Sequence, residues 1–216
     1  MKYYPLGWGE GLPQVVILAD GTFPRNALAV EMLRKVPAVV CCDGAAHKLL
    51  AHGVQPTAIV GDGDSLSRKI REHYAAIIHQ EKEQETNDLS KAFRYCLVQG
   101  WQDILILGAT GKREDHTLGN VSLLMDYMQQ ARVQMMTAYG LFTPVCGDAE
   151  LESFPGQQVS VFNMGCTRLA GENLVYPLSV FTNWWQGTLN ESTGKSFKLL
   201  TDGKILVYRT LKRDGE

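Results

Sequence analysis

The side chains best suited to chemistry in this sequence are acidic residues that directly follow short apolar runs. When such runs form an open parallel sheet, ligands bind beyond the carboxyl ends of the strands. Side chains from distant stretches of sequence then meet at one edge of the sheet. Three segments have this placement: Asp43–Ala45 after AVVCC, Gly61–Ser65 after TAIV, and Gly108–His116 after ILIL.

Carboxylates that meet in this way repel one another and lose hydration, so the group needs a cation. Magnesium prefers oxygen ligands, keeps several waters and commonly bridges carboxylates to substrate phosphates. The glycines beside the aspartates allow the backbone to approach phosphate closely. The pattern therefore predicts a site for magnesium and a phosphate group.

A fourth segment, Gln84–Lys91, places an acidic and a basic side chain near the start of a predicted helix. Asp88 and Lys91 are three residues apart and so share a helix face. Taken alone, this pair is typical of a solvated helix end, Asp43 of a helix cap, and Gly61–Ser65 of a turn. Taken together, the segments favour Asp88 as a metal or phosphate-site residue and Lys91 as a phosphate partner.

The elements that must position these residues follow two different patterns. From Gln14 to about Ala138, β-branched runs alternate with helical patterns, which is typical of a parallel sheet with crossover helices. After about Gly140, short extended segments separated by Gly, Pro, Asn and Asp predict antiparallel β structure. We therefore expect an α/β N-terminal domain with a mostly parallel sheet over residues 1–140, followed by a smaller all-β, sandwich-like C-terminal domain over residues 141–216.

Two of the predicted helices have an apolar face that we expect to pack on the sheet. These faces are Leu89, Ala92, Phe93 and Leu97 in one helix, and Leu118, Val121, Leu124, Met125 and Met128 in the other.

Composition favours a cytoplasmic protein with small-molecule partners. The 21 basic and 23 acidic residues give a net charge of −2 and form no basic tract, which argues against nucleic acid and lipid surfaces as partners. The N-terminus lacks the basic end and long apolar stretch of a signal peptide, and no segment is long enough to span a membrane. Five cysteines without CxxC spacing argue against a disulfide scaffold or a zinc knuckle.

In order and spacing, the four segments resemble the thiamine pyrophosphokinase family, which has a DGA turn, a GDxDS turn, a Q-x-x-T-D-x-x-K stretch and a G-x-x-G-x-R-x-D-H loop. The resemblance covers most of residues 14–130. Asn87 stands where the family usually has Thr, and Gly63 where it often has Phe. In the C-terminal half, Gly187–Glu191 resembles a serine-asparagine turn, with Leu189 at the serine position.

The resemblance implies an enzyme that uses magnesium and ATP and transfers pyrophosphate from ATP to the hydroxyl of thiamine, giving thiamine diphosphate and AMP. It also implies a homodimer whose thiamine sites lie between the catalytic domain of one subunit and the β domain of the other. Two other interpretations stay open: a pyrophosphokinase or nucleotidyltransferase that acts on another small alcohol, and a non-catalytic regulator that binds thiamine or a nucleotide.

Residue roles follow from the motifs and the resemblance together. The predicted magnesium ligands are Asp43, Asp62, Asp64 and Asp88. The predicted ATP-binding residues are Asp43, Gly44, Gln84, Lys91, Gly111, Lys112, Arg113 and His116. The predicted catalytic residues are Asp62, Asp64, Asp88, Arg113 and Asp115.

Several of these roles stay open at the level of sequence. Asp115 can orient Arg113, bind a metal-bound water or accept the hydroxyl proton. His116 lies at a helix start, where histidine is more often a solvated or capping side chain than a catalytic one. Asn120, one helical turn further on, is either a ligand contact or part of the helix cap.

Thiamine carries a permanent positive charge, so an aromatic wall is a suitable receptor through stacking and cation–π attraction. Aromatic residues in a β domain are more often part of the core or of an interface. We predict Tyr176, Trp184 and Asn190 as thiamine-binding residues, with Trp185 as a further aromatic candidate.

Overall fold

In the computed structural model, which describes residues 1–9 and 11–211, the chain divides into two units. An α/β unit comprises Leu12–Ala138, and a β unit combines Met1–Gly11 with the chain from Tyr139 onward. The predicted ranges, 1–140 and 141–216, differ from these units at the N-terminus. The reason is that the first strand, β1 (Lys2–Tyr4), pairs in parallel with a strand of the β unit.

Six parallel strands form the sheet of the α/β unit, in the order β7-β6-β2-β3-β4-β5. Every residue of β2, β3 and β4 is buried, which explains why these strands read as continuous apolar runs. The six strands are β2 (Val15–Leu18), β3 (Val39–Cys42), β4 (Ala58–Gly61), β5 (Ile78–Gln80), β6 (Asp103–Leu107) and β7 (Arg132–Met136).

One apolar run of this unit is extended over only part of its length. In the run AAIIH, Ala75–Ile77 forms a 3₁₀ turn, and only the last two residues of the run belong to β5.

The five helices of this unit are α1 (Ala27–Lys35), α2 (Ala45–Ala51), α3 (Arg68–His73), α4 (Asp88–Val98) and α5 (Glu114–Tyr127). On the predicted apolar face of α4, Leu89, Ala92 and Phe93 are buried and Leu97 is half-buried. The expectation for α5 is wrong at Leu118, whose side chain is 60% exposed. Only the second half of α5 is buried, through Leu124, Met125 and Tyr127.

The β unit contains two layers of strands, as the sequence pattern predicts. Strands β12, β10, β14 and β8 are antiparallel neighbours in that order. Strands β9, β13 and β11 form a second antiparallel set, and β1 lies on the outer side of β9. The strands are β8 (Gly140–Cys146), β9 (Ala149–Glu152), β10 (Gln158–Asn163), β11 (Leu169–Glu172), β12 (Asn190–Glu191), β13 (Ser196–Thr201) and β14 (Lys204–Thr210).

Apolar side chains from both layers share one core, as in a β-sandwich. Val145, Val161 and Val207 come from one layer, and Phe197 and Leu199 from the other. Among the described residues, no helix is long and apolar enough to span a lipid bilayer.

Candidate active site

A cavity of about 440 Å³ lies at the carboxyl ends of the parallel strands in the α/β unit. Ligands of open parallel sheets bind at this edge. Most of the residues in the cavity wall have polar or charged side chains. Its polar and charged side chains are Asp20, Asp62, Gln84, Thr86, Asn87, Asp88, Lys91, Thr110, Lys112, Arg113, His116, Thr117 and Asn120.

Three of the predicted carboxylates meet at this edge around Gly61. A Cβ atom on Gly61 would lie only 2.8 Å from Asp43 Cβ, so glycine is needed to leave room for Asp43, and it would lie at contact distance, 3.4 Å, from Asp88 Oδ1. Asp43 is buried; its Oδ2 accepts a hydrogen bond from the Ser65 amide at 3.0 Å, while its Oδ1 has no donor. Asp62 and Asp88 line the cavity itself.

The carboxylates differ in their pKa because their surroundings differ. Burial raises the pKa of Asp43, the Ser65 amide partly offsets this, and the charges of Asp88 and Asp62 raise it further. The Asp64 amide donates to Asp62 Oδ1 at 3.0 Å and lowers the pKa of Asp62. Asp62 thus keeps its negative charge readily, whereas a negative charge on buried Asp43 needs a compensating positive charge.

Lys91 faces inward. Only 2% of its side chain is exposed, and its Nζ lies 3.3 Å from Asp88 Oδ1. Such burial of a lysine is rare without a paired charge. Lys91 is therefore not part of a solvated helix end, although its partner Asp88 is partly exposed.

Arg113 and Asp115 form a two-point contact outside the buried cluster. Arg113 Nε lies 3.1 Å from Asp115 Oδ1, and Nη2 lies 2.5 Å from Oδ2. Arg113 thereby lowers the pKa of Asp115. Three roles are open to Asp115, and the contact needed for one of them, orienting Arg113, is present in the structure.

Not every predicted site residue lines the cavity. The Asp64 side chain is exposed, and its backbone amide supports Asp62. Gly44 leaves room for a neighbouring carboxylate, since a Cβ there would lie 2.8 Å from Asp20 Oδ2. His116 lies in the first turn of α5 and lines the cavity.

The loops after β2 and β6 hold each other in place. The Thr22 amide donates to the Thr110 carbonyl at 2.8 Å, and the Thr22 hydroxyl donates to the Gly111 carbonyl at 2.7 Å. Gly108 has a φ of 67°, and a Cβ there would lie 2.6 Å from the Ala19 carbonyl oxygen. This close approach fixes the base of the segment that carries Lys112 and Arg113.

Asp20 is a cavity residue that the sequence reasoning missed. Its Oδ1 accepts from Lys48 Nζ at 2.7 Å, and its Oδ2 accepts from Lys112 Nζ at 3.2 Å. A signal was present, because Asp20 follows the apolar run VVILA just as the other aspartates follow theirs.

Asn87 and Asn120 connect three elements of the wall. Asn87 caps α4, and its Nδ2 donates to Asn120 Oδ1 at 3.1 Å. Asn120 Nδ2 in turn donates to the Ala109 carbonyl at 2.9 Å. Both groups of the Asn120 amide are therefore engaged with protein partners.

A second, smaller cavity of about 290 Å³ lies within the β unit and includes Tyr176 and Asn190 in its wall. Asn190 is buried, and its amide bonds to the backbone of Tyr176 at 3.1 and 2.9 Å. Trp184 does not line this cavity; it contacts the Phe162 ring edge-on and is 52% exposed.

The acidic cluster offers the kind of oxygen ligands that magnesium prefers, and water and phosphate would complete the shell of such an ion. Asp43 Oδ1 is a buried oxygen without a donor, and the nearby Asp62 and Asp88 offer further oxygens. In residues 1–9 and 11–211, no three His, Cys, Asp or Glu side chains are arranged to hold a metal ion by themselves. Magnesium typically takes only one or two carboxylates and fills its shell with water and phosphate, so the residues fit such an ion.

Models of known protein families match parts of both units. The model described as the thiamin pyrophosphokinase catalytic domain matches residues 29–137, just over half of the chain's 216 residues. The model described as the substrate-binding domain of the same enzyme matches residues 140–208.

Individual relatives are similar over part of their length. Thiamin pyrophosphokinase 1 of Caenorhabditis elegans is 30% identical over 135 residues, covering 57% of this chain and 55% of that protein. Thiamine pyrophosphokinase of Bacillus subtilis is 36% identical over 86 residues, covering 38% of this chain and 40% of that protein. In these comparisons the chain spans about half the length of its relatives.

The fold is shared over almost the whole chain. The structure of thiamin pyrophosphokinase from Candida albicans matches with a TM-score of 0.81 and 16% identity, covering 98% of this chain and 93% of that one. At this identity the likeness establishes the fold alone. The match of the catalytic-domain model to just over half of the sequence shows that this chain belongs to the thiamin pyrophosphokinase family, and the shared fold agrees with this.

Proposed function

We propose that this chain transfers the pyrophosphoryl group of ATP to the hydroxyl of thiamine and releases AMP. The observation that carries the proposal is the 440 Å³ cavity in the α/β unit, where carboxylates and cationic side chains share one wall. A polyanion such as a triphosphate needs cations around it, and a metal ion bound to it needs carboxylates. Membership of the family and the match to both of its domains support thiamine as the acceptor.

In this proposal the cationic residues hold the nucleotide. Lys91, Lys112 and Arg113 line the cavity and neutralise phosphate charge, with Gln84 and His116 as further polar contacts. Arg113 can hold phosphate oxygens at two points, because Asp115 keeps its planar guanidinium oriented. Positioning of this kind is the main task in phosphoryl-type transfer.

The carboxylates Asp43, Asp62, Asp64 and Asp88 are the proposed magnesium ligands, directly or through water. Bound magnesium would supply charge neutralisation at the phosphates. Asp43 supports this assignment most strongly, since its buried Oδ1 has no donor. Asp64 has weaker support because its side chain points to solvent. The catalytic group that accepts the hydroxyl proton is proposed to lie among Asp62, Asp88 and Asp115.

We extend the proposal to a homodimer in which the thiamine site includes Tyr176, Trp184 and Asn190 of the β unit. Tyr176 and Trp184 are 59% and 52% exposed, and Trp185 is 74% exposed, which is a large aromatic surface for one unit. Asn190 then acts by fixing the backbone of Tyr176. We also place the enzyme in the cytoplasm, a reducing compartment that suits five free cysteines.

A product assay tests the proposal. The purified chain is incubated with ATP, magnesium and thiamine, and nucleotide products are separated. We expect AMP and thiamine diphosphate in equal amounts, with no AMP when thiamine is omitted. ADP as the product would indicate an ordinary kinase. AMP release that other small alcohols accelerate and thiamine does not would assign a different acceptor.

A further inference from the structure

An arginine outside the cavity holds the segment that forms one side of its wall. Arg94 lies on α4, six residues after Asp88, and does not itself line the cavity. Its Nη2 donates to Glu81 Oε2 at 2.8 Å and to Glu83 Oε1 at 2.7 Å. Its Nη1 donates to Thr86 Oγ1 at 3.0 Å. One side chain thus contacts the segment 81–86 at three points.

The same segment is tied to β4 at its start and has hydrogen bonds of its own near its end. At its start, the Glu81 amide donates to the Gly61 carbonyl at the end of β4, at 2.8 Å. Near its end, Glu83 Oε2 accepts from the amides of Glu85 at 2.8 Å and Thr86 at 3.0 Å. Glu83 also contacts the Thr86 hydroxyl. The segment is therefore connected to both β4 and α4 by hydrogen bonds.

Gln84 lies in the middle of this segment and reaches the cavity. Its side chain lines the wall together with Thr86, and Asp62 lines the same cavity. A shift of the segment 81–86 would therefore move Gln84 out of its position in the cavity wall. A misplacement of about 1 Å near a reacting group can cost about 100-fold in rate.

The contacts of Arg94 are partly exposed, which argues against a mainly stabilising role. The side chains of Arg94, Glu81 and Glu83 are 44%, 35% and 36% exposed. Ion pairs of this kind contribute little to folding. Their main consequence is expected in the geometry of the segment that they hold.

We propose that Arg94 is a positioning residue that holds Gln84 in the cavity wall and so determines how well the cavity binds magnesium–ATP. This inference rests on the proposed function, since it names the nucleotide as the ligand of the cavity. Arg94 acts through Gln84 and does not touch the ligand.

The test compares Arg94→Met with Arg68→Met. Arg68 also pairs with a carboxylate, Glu72, at 2.7 Å, but on the exposed helix α3. We expect Arg94→Met to weaken magnesium–ATP binding about tenfold in calorimetry without thiamine, and to raise KM for ATP similarly. Arg68→Met should change neither, and the thermal midpoints of the two variants should agree.

Two further variants separate positioning from a general structural effect. In a Gln84→Ala background, Arg94→Met should have little additional effect on binding, because both changes remove the Gln84 side chain from its position in the cavity wall. Arg94→Lys should not restore binding, since a single ammonium group cannot replace the planar fork that spans three acceptors. Glu83→Gln, which weakens the segment from its other side, should reproduce the loss if Arg94→Met does not fold.

Wild-type affinity for magnesium–ATP in Arg94→Met, or losses that add in full with Gln84→Ala, would overturn the role of Arg94. These outcomes differ from a failure of the proposed function. If the wild-type chain binds magnesium–ATP but forms no thiamine diphosphate, the acceptor is wrong while the binding data still decide on Arg94. If the wild-type chain does not bind magnesium–ATP, both proposals are wrong.

Discussion

At the scale of single residues, the acidic side chains of the α/β unit are not equivalent. Asp43 is buried with one oxygen lacking a donor, and its pKa is raised, whereas Asp62 accepts a backbone hydrogen bond and its pKa is lowered. Asp62 therefore keeps its negative charge readily, while the charge of Asp43 is stabilised best by a cation. This asymmetry lets two neighbouring carboxylates remain side by side in the folded protein.

Arg113→Lys tests the two-point contact that Arg113 makes with Asp115. Lysine keeps the charge but cannot form the planar fork, so we expect kcat/KM for ATP to fall about 10- to 100-fold. The unfolding free energy should stay within about 0.5 kcal/mol, because Arg113 is 72% exposed. Arg68→Lys, at the 92% exposed Arg68, serves as the control. Unchanged kinetics in Arg113→Lys would show that a point charge is sufficient.

At the scale of elements, the position of the cationic residues depends on the loop after β6. Gly108 allows this loop to pass close to the end of β2, and the hydrogen bonds from Thr22 hold it there. The loop is thus fixed by contacts within the protein itself. Preorganisation of this kind reduces the cost of positioning a substrate.

Gly108→Ala and Gly119→Ala are expected to act in opposite directions. At Gly108 a methyl group meets a backbone oxygen and φ is 67°, so we expect a loss of at least ~1–2 kcal/mol in unfolding free energy. Gly119 lies within α5, where a Cβ meets nothing within 4 Å, so alanine should stabilise by ~0.5–1 kcal/mol. Urea denaturation measures both, and equal effects would contradict the close approach at Gly108.

The sequence predicted the elements whose signal is local. Apolar runs followed by aspartate located the strand ends, because strands that are buried on both faces leave a continuous pattern. The inward orientation of Lys91 could not be predicted, because its burial depends on packing around α4. Leu118 was misassigned for a related reason: a helical apolar face shows which residues align, but not how far the helix extends beyond its sheet. Asp20 had a local signal that was not used.

At the scale of the whole molecule, the N-terminal segment belongs to the β unit through a contact that no local pattern reveals. Arg209 on β14 is buried, and it donates to the Tyr4 carbonyl at 3.2 Å and to the Pro5 carbonyl at 3.1 Å. It also donates to the Glu152 carbonyl at 2.7 Å and to the Thr143 hydroxyl at 3.1 Å. Burial lowers the pKa of Arg209 to about 10, which still leaves it charged at neutral pH.

Deletion of residues 1–6 should therefore destabilise the protein. It removes two of the four acceptors of a buried guanidinium, and an unsatisfied buried group costs ~1–3 kcal/mol, so we expect a loss of at least ~2 kcal/mol in urea denaturation. Lys198→Ala, which breaks an exposed pair with Glu172, should change the unfolding free energy by less than about 0.5 kcal/mol. A truncated protein as stable as the full chain would show that Arg209 finds other acceptors.

The most direct test of the account is the rate of thiamine diphosphate formation by Asp62→Asn. This change keeps the shape of a side chain in the cavity wall and removes its charge. With ATP, magnesium and thiamine at saturation, we expect the rate to fall at least ~100-fold, while Asp126→Asn on the exposed side of α5 stays near wild type. A rate for Asp62→Asn within about tenfold of wild type, roughly 1.4 kcal/mol of barrier, would contradict the account.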